Sequence, residues 1–137
     1  MKIDGACLCG HLTYEAEINP ELVMICHCTD CQTTTGSYHC GVLVDVDDFV
    51  LLSGAPKVFL KTAESGRQRA LAFCPECGVS LHGAKVDDPQ TYSLRLGTVR
   101  QREQLIPKRQ IWSRSQLPWV GNIEGIESCP TQPEVKL

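Results

Sequence analysis

Cys74-Pro75-Glu76-Cys77-Gly78 is the stretch that decides how the chain is read, because its two-residue spacer turns the backbone and leaves two thiols facing one point. Gly78 is placed to take the left-handed conformation that aims backbone N–H groups at sulfur. A second half-site stands near the start, Cys7-Leu8-Cys9, between Gly5 and Gly10. In extended chain an i,i+2 pair shares a face, so two further sulfurs can meet the same ion. Together, Cys7, Cys9, Cys74 and Cys77 make a closed four-thiolate zinc site of the structural kind. A metal clip between Cys9 and Cys74 closes a long loop and removes about 4 kcal/mol of denatured-state entropy if it acts as a disulfide does. Buried unliganded thiols and a redox Cys-x-x-Cys are the competing readings. The redox motif wants a strand-to-helix setting, and here strands flank the pair.

Cys26-His27-Cys28-Thr29-Asp30-Cys31 is the third cluster. Cys26 and Cys28 share a face at i,i+2, and Cys28 and Cys31 lie one turn apart if the chain coils after Cys28. Three thiols on one point, with a fourth position open, form the pattern of a reactive zinc site. A second structural zinc, with its fourth ligand from Cys40, His27, His39 or His82, satisfies the same spacing. Cys40 reads as a small buried hydrophobe in an apolar strand and Cys129 as an incidental exposed thiol in the tail.

The rest of the composition fits a packed globular chain. It has 137 residues, 42% hydrophobic and 21% charged, with nine cysteines as the outlier. An odd cysteine count cannot be a complete disulfide framework. The formal charge of −3 argues against strong non-specific nucleic-acid binding. No apolar run approaches the roughly 20 residues that span a bilayer, so no membrane association is expected. Met1-Lys2-Ile3-Asp4 lacks the apolar core of a signal peptide, and clustered free thiols suit a reducing compartment; the expected location is the cytoplasm.

Leu12, Tyr14, Ala16 and Ile18 alternate with polar neighbours, the period of a half-buried strand. Strands are also expected over 21–26, 38–44, 57–62, 67–73, 79–86 and 91–99, joined as antiparallel meanders by short turns. Helical signal is confined to a turn over 29–34 and a few residues between 100 and 105. The expected architecture is mainly β, one zinc-binding domain over 1–125 with a tail over 126–137. Trp112 and Trp119 read as core aromatics in preference to pocket walls.

These segments resemble the glutathione-dependent formaldehyde-activating family, whose domain is shared with centromere protein V. The resemblance is carried by Gly5-Ala6-Cys7-Leu8-Cys9-Gly10, Cys26-His27-Cys28-Thr29-Asp30-Cys31 running to Thr35-Gly36-Ser37, Ser53-Gly54-Ala55-Pro56, Phe73-Cys74-Pro75-Glu76-Cys77-Gly78, and Ile111-Trp112-Ser113 with Trp119. It implies a β-tent fold of antiparallel sheets organised around zinc, with two ions per chain. One would be structural on Cys7, Cys9, Cys74 and Cys77, and one catalytic on Cys26, Cys28 and Cys31. The implied activity is that of a carbon–sulfur lyase, joining a small thiol such as glutathione to formaldehyde or a related aldehyde. Gln110 stands where family members often carry His, and Leu96-Gly97-Thr98-Val99-Arg100 lacks the acidic pair common there. A zinc-stabilised binding module with two structural ions is the reading from another class. Arg67, Arg69, Arg95 and Arg114 are the cations available to an anionic thiol.

Overall fold

In the computed structural model, which describes residues 1–133, ten strands form two sheets. The strands are β1 (Lys2–Ala6), β2 (Thr13–Glu17), β3 (Val23–Cys26), β4 (His39–Asp45), β5 (Phe49–Ser53), β6 (Lys57–Thr62), β7 (Gln68–Phe73), β8 (Ser80–Lys85), β9 (Thr91–Arg95) and β10 (Arg109–Ile111). β1, β2 and β5 make a three-stranded sheet in that order; the seven-stranded sheet runs β10-β3-β4-β9-β8-β7-β6. The expectation of a mainly β chain holds. One pair departs from the antiparallel expectation: β10 runs parallel to β3 at the edge of the large sheet.

The core lies between the sheets. Leu12, Tyr14, Ala16 and Ile18 are buried as their alternation requires, and they meet Val42 and Val44 of β4 with Leu81 and Leu94 of the large sheet. Tyr14 stacks on Phe49 of β5, which also meets His82 and Tyr92, so an aromatic group pins one sheet to the other. β1, β5 and β10 were not among the strands expected from sequence. They are short, and Gly5 in β1 and Asp45-Val46-Asp47-Asp48 before β5 blur the alternation. Residues 21–22 belong to a 3-10 turn after the Asn19 cap and not to a strand, and 96–98 coil into a second such turn.

α1 (Thr29–Thr35) is the expected helical turn. Cys28 caps its N-terminus, accepting the Cys31 N–H on sulfur at 3.4 Å, and Gly36 ends it at φ +83°. No helix among the described residues is long and apolar enough to cross a membrane. Residues 134–137 of the expected tail lie outside the described residues.

Candidate metal centres and the pocket beside one of them

Cys7, Cys9, Cys74 and Cys77 converge, their sulfurs all within 4.8 Å of one another. Cys7 Sγ is 3.6 Å from Cys9 Sγ, and Cys9 Sγ is 3.8 Å from Cys74 Sγ across 65 residues. Two tight turns, one closing over three residues and one over four, each ending on a left-handed glycine, make the contact. In the first the Gly10 N–H donates to Cys7 O and Gly10 sits at φ +78°; in the second the Gly78 N–H donates to Cys74 O and Gly78 sits at φ +73°. Sequence spacing was read as an extended Cys7-Leu8-Cys9, but β1 ends at Ala6 and a tight turn brings the thiols together. The Leu12 N–H also reaches Cys7 Sγ at 3.2 Å, offsetting burial and helping hold that thiol below its ordinary range. The Cys77 thiol is drawn down to about 6, first by the Val79 N–H.

The second group is set by strand register. Cys26 ends β3 and pairs with His39, the first residue of β4, so their side chains stand together on one face of the large sheet. Cys31, in the first turn of α1, folds back to them, its sulfur 3.3 Å from His39 Nδ1. Cys26, Cys31 and His39 are all buried, their donor atoms within 4.8 Å of one another. Cys28 stands at the rim of this trio, its thiol 3.1 Å from Cys31 Sγ. Hydrogen bonding from Cys31 drives the Cys26 thiol down to about 3, while the same contact and burial push Cys31 far up. Burial lowers the His39 pKa, opposed by the contact with Cys26 and reinforced by the charges of Arg95 and Lys61.

The other open ligands are placed elsewhere. Cys40 follows His39 and so points to the opposite face, where it packs against the core. His27 Nε2 donates to Gln110 Oε1 at 2.8 Å, and His82 stacks on Tyr92 at 4.0 Å between the sheets. Cys129 is exposed. Both donor sets, four sulfurs and a sulfur–imidazole mixture, have the softness that suits zinc.

The second group opens onto a pocket of about 480 Å³ on the face of the large sheet turned away from the small one. Met24, Cys26, His39, Ser93, Arg95 and Arg69 project there by alternation, and Gly83 leaves part of the floor bare. The turn between β6 and β7 and the Trp112 side chain form its walls. Trp112 takes φ +57°, an uncommon conformation for a bulky residue, and it lines this pocket instead of the core. Trp119, also read as core, is 48% exposed.

Four cations face the cavity: Lys61, Arg67, Arg69 and Arg95. Arg95 is largely buried; burial lowers its pKa while the charges of Cys31, Cys26 and Cys28 raise it, and it has no ion pair among the described residues. Lys61 pairs with Asp30 of α1. Arg114 is outside the pocket, bound to Glu64 at 2.7 Å with its guanidinium 5.0 Å from the Trp112 ring. Lys61 carried no sequence signal, since only the pairing of β6 with β7 brings it beside Arg69. A wider groove of about 750 Å³ crosses the small sheet, but no cysteine or histidine lines it.

A mainly β protein with two cysteine-rich groups able to hold metal ions is the class these features define. The sequence model of the glutathione-dependent formaldehyde-activating enzyme family matches residues 2–115, and the chain belongs to that family. The fold is similar to a crystal structure of a Rhodobacter sphaeroides protein, with a TM-score of 0.59 at 20% identity over 78% of this chain and 98% of that one. No curated protein sequence matches the chain.

Proposed function

We propose that the chain joins a small anionic thiol to formaldehyde or a related aldehyde, acting as a carbon–sulfur lyase in the synthetic direction. The cluster of Cys26, Cys28 and Cys31 is the reactive zinc centre, and Cys7, Cys9, Cys74 and Cys77 hold a structural zinc. The observation that carries this reading is that this cluster of thiols opens into a cavity lined by four cations. A purely structural site needs neither a cavity nor cations.

A zinc ion held there would supply a Lewis acid that lowers the pKa of an incoming thiol. The remaining work falls to the chain. Arg95 and Arg69 project from the sheet towards the sulfurs and bind a carboxylate of the thiol substrate, an interaction suited to guanidinium. Trp112 and the β6–β7 turn narrow the approach and limit water. In the addition itself the substrate sulfur forms a bond to the carbonyl carbon, the carbonyl π bond breaks, and the thiol proton ends on the new hydroxyl. The product is an S-hydroxymethyl adduct, with nothing oxidised or reduced.

Exchange between free glutathione and its formaldehyde adduct, followed by NMR, tests the proposal. The expected result is faster exchange with the protein than without, abolished in Cys31→Ser. Identical rates across several thiols favour a binding module whose metals are both scaffold. Arg95→Gln is expected to raise KM about tenfold or more, by loss of a charged hydrogen bond.

A further inference from the structure

Three of the four residues open as a nitrogen or sulfur donor to the second cluster are engaged elsewhere, which leaves His39. We propose that His39 is a ligand of the second metal centre, supplying through Nδ1 the one nitrogen donor among the sulfurs of Cys26, Cys28 and Cys31. This rests on the reading that the cluster holds a metal.

Position comes first. Cys26 and His39 are direct partners in an antiparallel pair, so backbone hydrogen bonds of the sheet set their separation before any ion arrives. His39 Nδ1 lies 3.3 Å from Cys31 Sγ and within the 4.8 Å span that holds both sulfurs. The ring is buried, 8% exposed, in a space kept for it: a Cβ at Gly41 would come within 2.9 Å of His39 Nε2. A side chain at 41 and this placement of the ring exclude each other.

Hydrogen bonding does not account for so buried an imidazole. Nε2 has no partner, and the neighbour of Nδ1 is a thiol, a weak donor and acceptor. A buried polar ring so poorly satisfied is costly in a sheet interior where an apolar residue would fit. Ligation by Nδ1 replaces that weak thiol contact with a strong bond and fixes the tautomer; Nε2, against Gly41, is the protonated nitrogen and has no partner in either case. The neutral imidazole also adds no negative charge to a cluster already rich in thiolate. As a neutral fourth donor lining the same cavity as Arg95, His39 would hold the position that a substrate thiol takes over in the proposed reaction, so the two exchange at one place and the centre stays open to chemistry.

Cadmium-113 substituted into both centres is the probe. Two ¹¹³Cd resonances are expected, one from the four-sulfur site and one shifted by nitrogen. The second should show scalar coupling to the ring protons of a single histidine. In His39→Ala the coupling should vanish and the metal affinity of that centre fall by about 100-fold or more, the first resonance staying in place. His39→Cys should restore binding with a more sulfur-rich shift. Two resonances without histidine coupling would overturn the ligand assignment while leaving the metal centre intact. One resonance alone in the wild-type protein would overturn both.

Discussion

The two cysteine groups use similar short motifs and yet sit in opposite relations to the fold. Cys7, Cys9, Cys74 and Cys77 come from two turns 65 residues apart in chain, outside the strands that they follow. No ladder of backbone hydrogen bonds connects β1 with β7, which belong to different sheets. Their convergence is therefore itself a tertiary contact. Cys26, Cys28, Cys31 and His39 lie within fourteen consecutive residues, carried by β3, α1 and β4, and β3 is already bonded to β4 residue by residue. One group ties the sheets together; the other is mounted on a surface that the sheet has made rigid. On the proposed function, energy of ligation goes into topology at the first and is free for chemistry at the second.

Removing one sulfur from each group is the most forceful way to break this comparison. Structural zinc contributes on the order of 10 kcal/mol, about the whole stability of a domain this size. Cys74→Ser and Cys7→Ser should yield unfolded or insoluble protein. Cys28→Ser and Cys31→Ser should yield folded protein with one zinc and no thiol chemistry, because a ligand set so local closes only a short loop. Circular dichroism melts with elemental analysis of the four variants decide it, and equal destabilisation by all four would contradict the division of roles.

Much of this division was legible in the sequence. The two-residue spacer followed by glycine specifies a knuckle at Cys74 and Cys77 through local geometry, and the one-residue spacer marked Cys7 and Cys9 as its partner half-site, although that pair was read as extended and folds as a turn. Leu12 to Ile18 announced a strand by strict alternation. What could not be read was register. His39 and Cys40 are neighbours, and only the pairing of β3 with β4 shows that His39 faces Cys26 while Cys40 faces the core. Lys61 and Arg95 reach the pocket through the same kind of non-local pairing, and the bare floor at Gly83 appears once β7, β8 and β9 are laid side by side. Trp112 misled because its left-handed backbone turns it to the pocket mouth, and no pattern of neighbouring residues encodes that φ.

Two glycines sharpen the comparison at a smaller scale, since each stands two residues from a ligand. A Cβ at Gly5 would lie 2.3 Å from the Tyr14 ring and 2.4 Å from Thr98 O, both in the packed core. Gly5→Ala should cost about 3 kcal/mol, the upper end of overpacking, and lower the melting temperature of the whole chain. Gly41→Ala meets Leu94 O at 2.8 Å and His39 Nε2 at 2.9 Å. It should cost about 2 kcal/mol, and it should selectively weaken metal at the second centre. Gly97, with nothing within 4 Å of its Cβ position, is the control: Gly97→Ala should be nearly neutral. Urea midpoints and metal retention give both readouts, and loss of first-centre metal in Gly41→Ala would break the pattern.

His82 tests the joint between the sheets, away from both clusters. Burial, with the nearby charge of Arg95, holds its pKa down at about 4 against an ordinary 6.5, beside Phe49 and Tyr92. The folded-state value is depressed, so below pH 6.5 the unfolded chain takes up a proton that the folded chain refuses. Stability therefore falls as pH drops from about 6.5 towards 4 and is flat above 6.5 as far as this group is concerned. At about 1.4 kcal/mol per pKa unit the full loss is about 3 kcal/mol. Acid also protonates metal-binding thiols, so the useful quantity is a difference. His82→Phe, which keeps a flat ring, should lose about 1–2 kcal/mol less than the wild type between pH 7 and pH 5 in urea unfolding. Equal losses would show that His82 does not titrate across the transition.

Arg114 should give the smallest effect, and its value lies in the contrast with Arg95. Both were candidates to hold an anionic substrate. Arg95 is largely buried beside the thiols, whereas the Arg114 side chain is 71% exposed, outside the cavity, and paired with a Glu64 side chain that is 42% exposed. Exposed pairs of this kind contribute between nothing and about 1 kcal/mol, because water screens the charges and two long side chains lose freedom. Contact with the Trp112 ring adds about 0.5 kcal/mol at such exposure. Arg114→Ala should therefore shift the urea midpoint by an amount worth less than about 1 kcal/mol, shrinking further in high salt. KM for the thiol should stay within about twofold of wild type, since no carboxylate of a substrate in the cavity is held by this group. A rise in KM matching that of Arg95→Gln would move the anion-binding surface out of the pocket and onto its rim, along Trp112 and the β6–β7 turn.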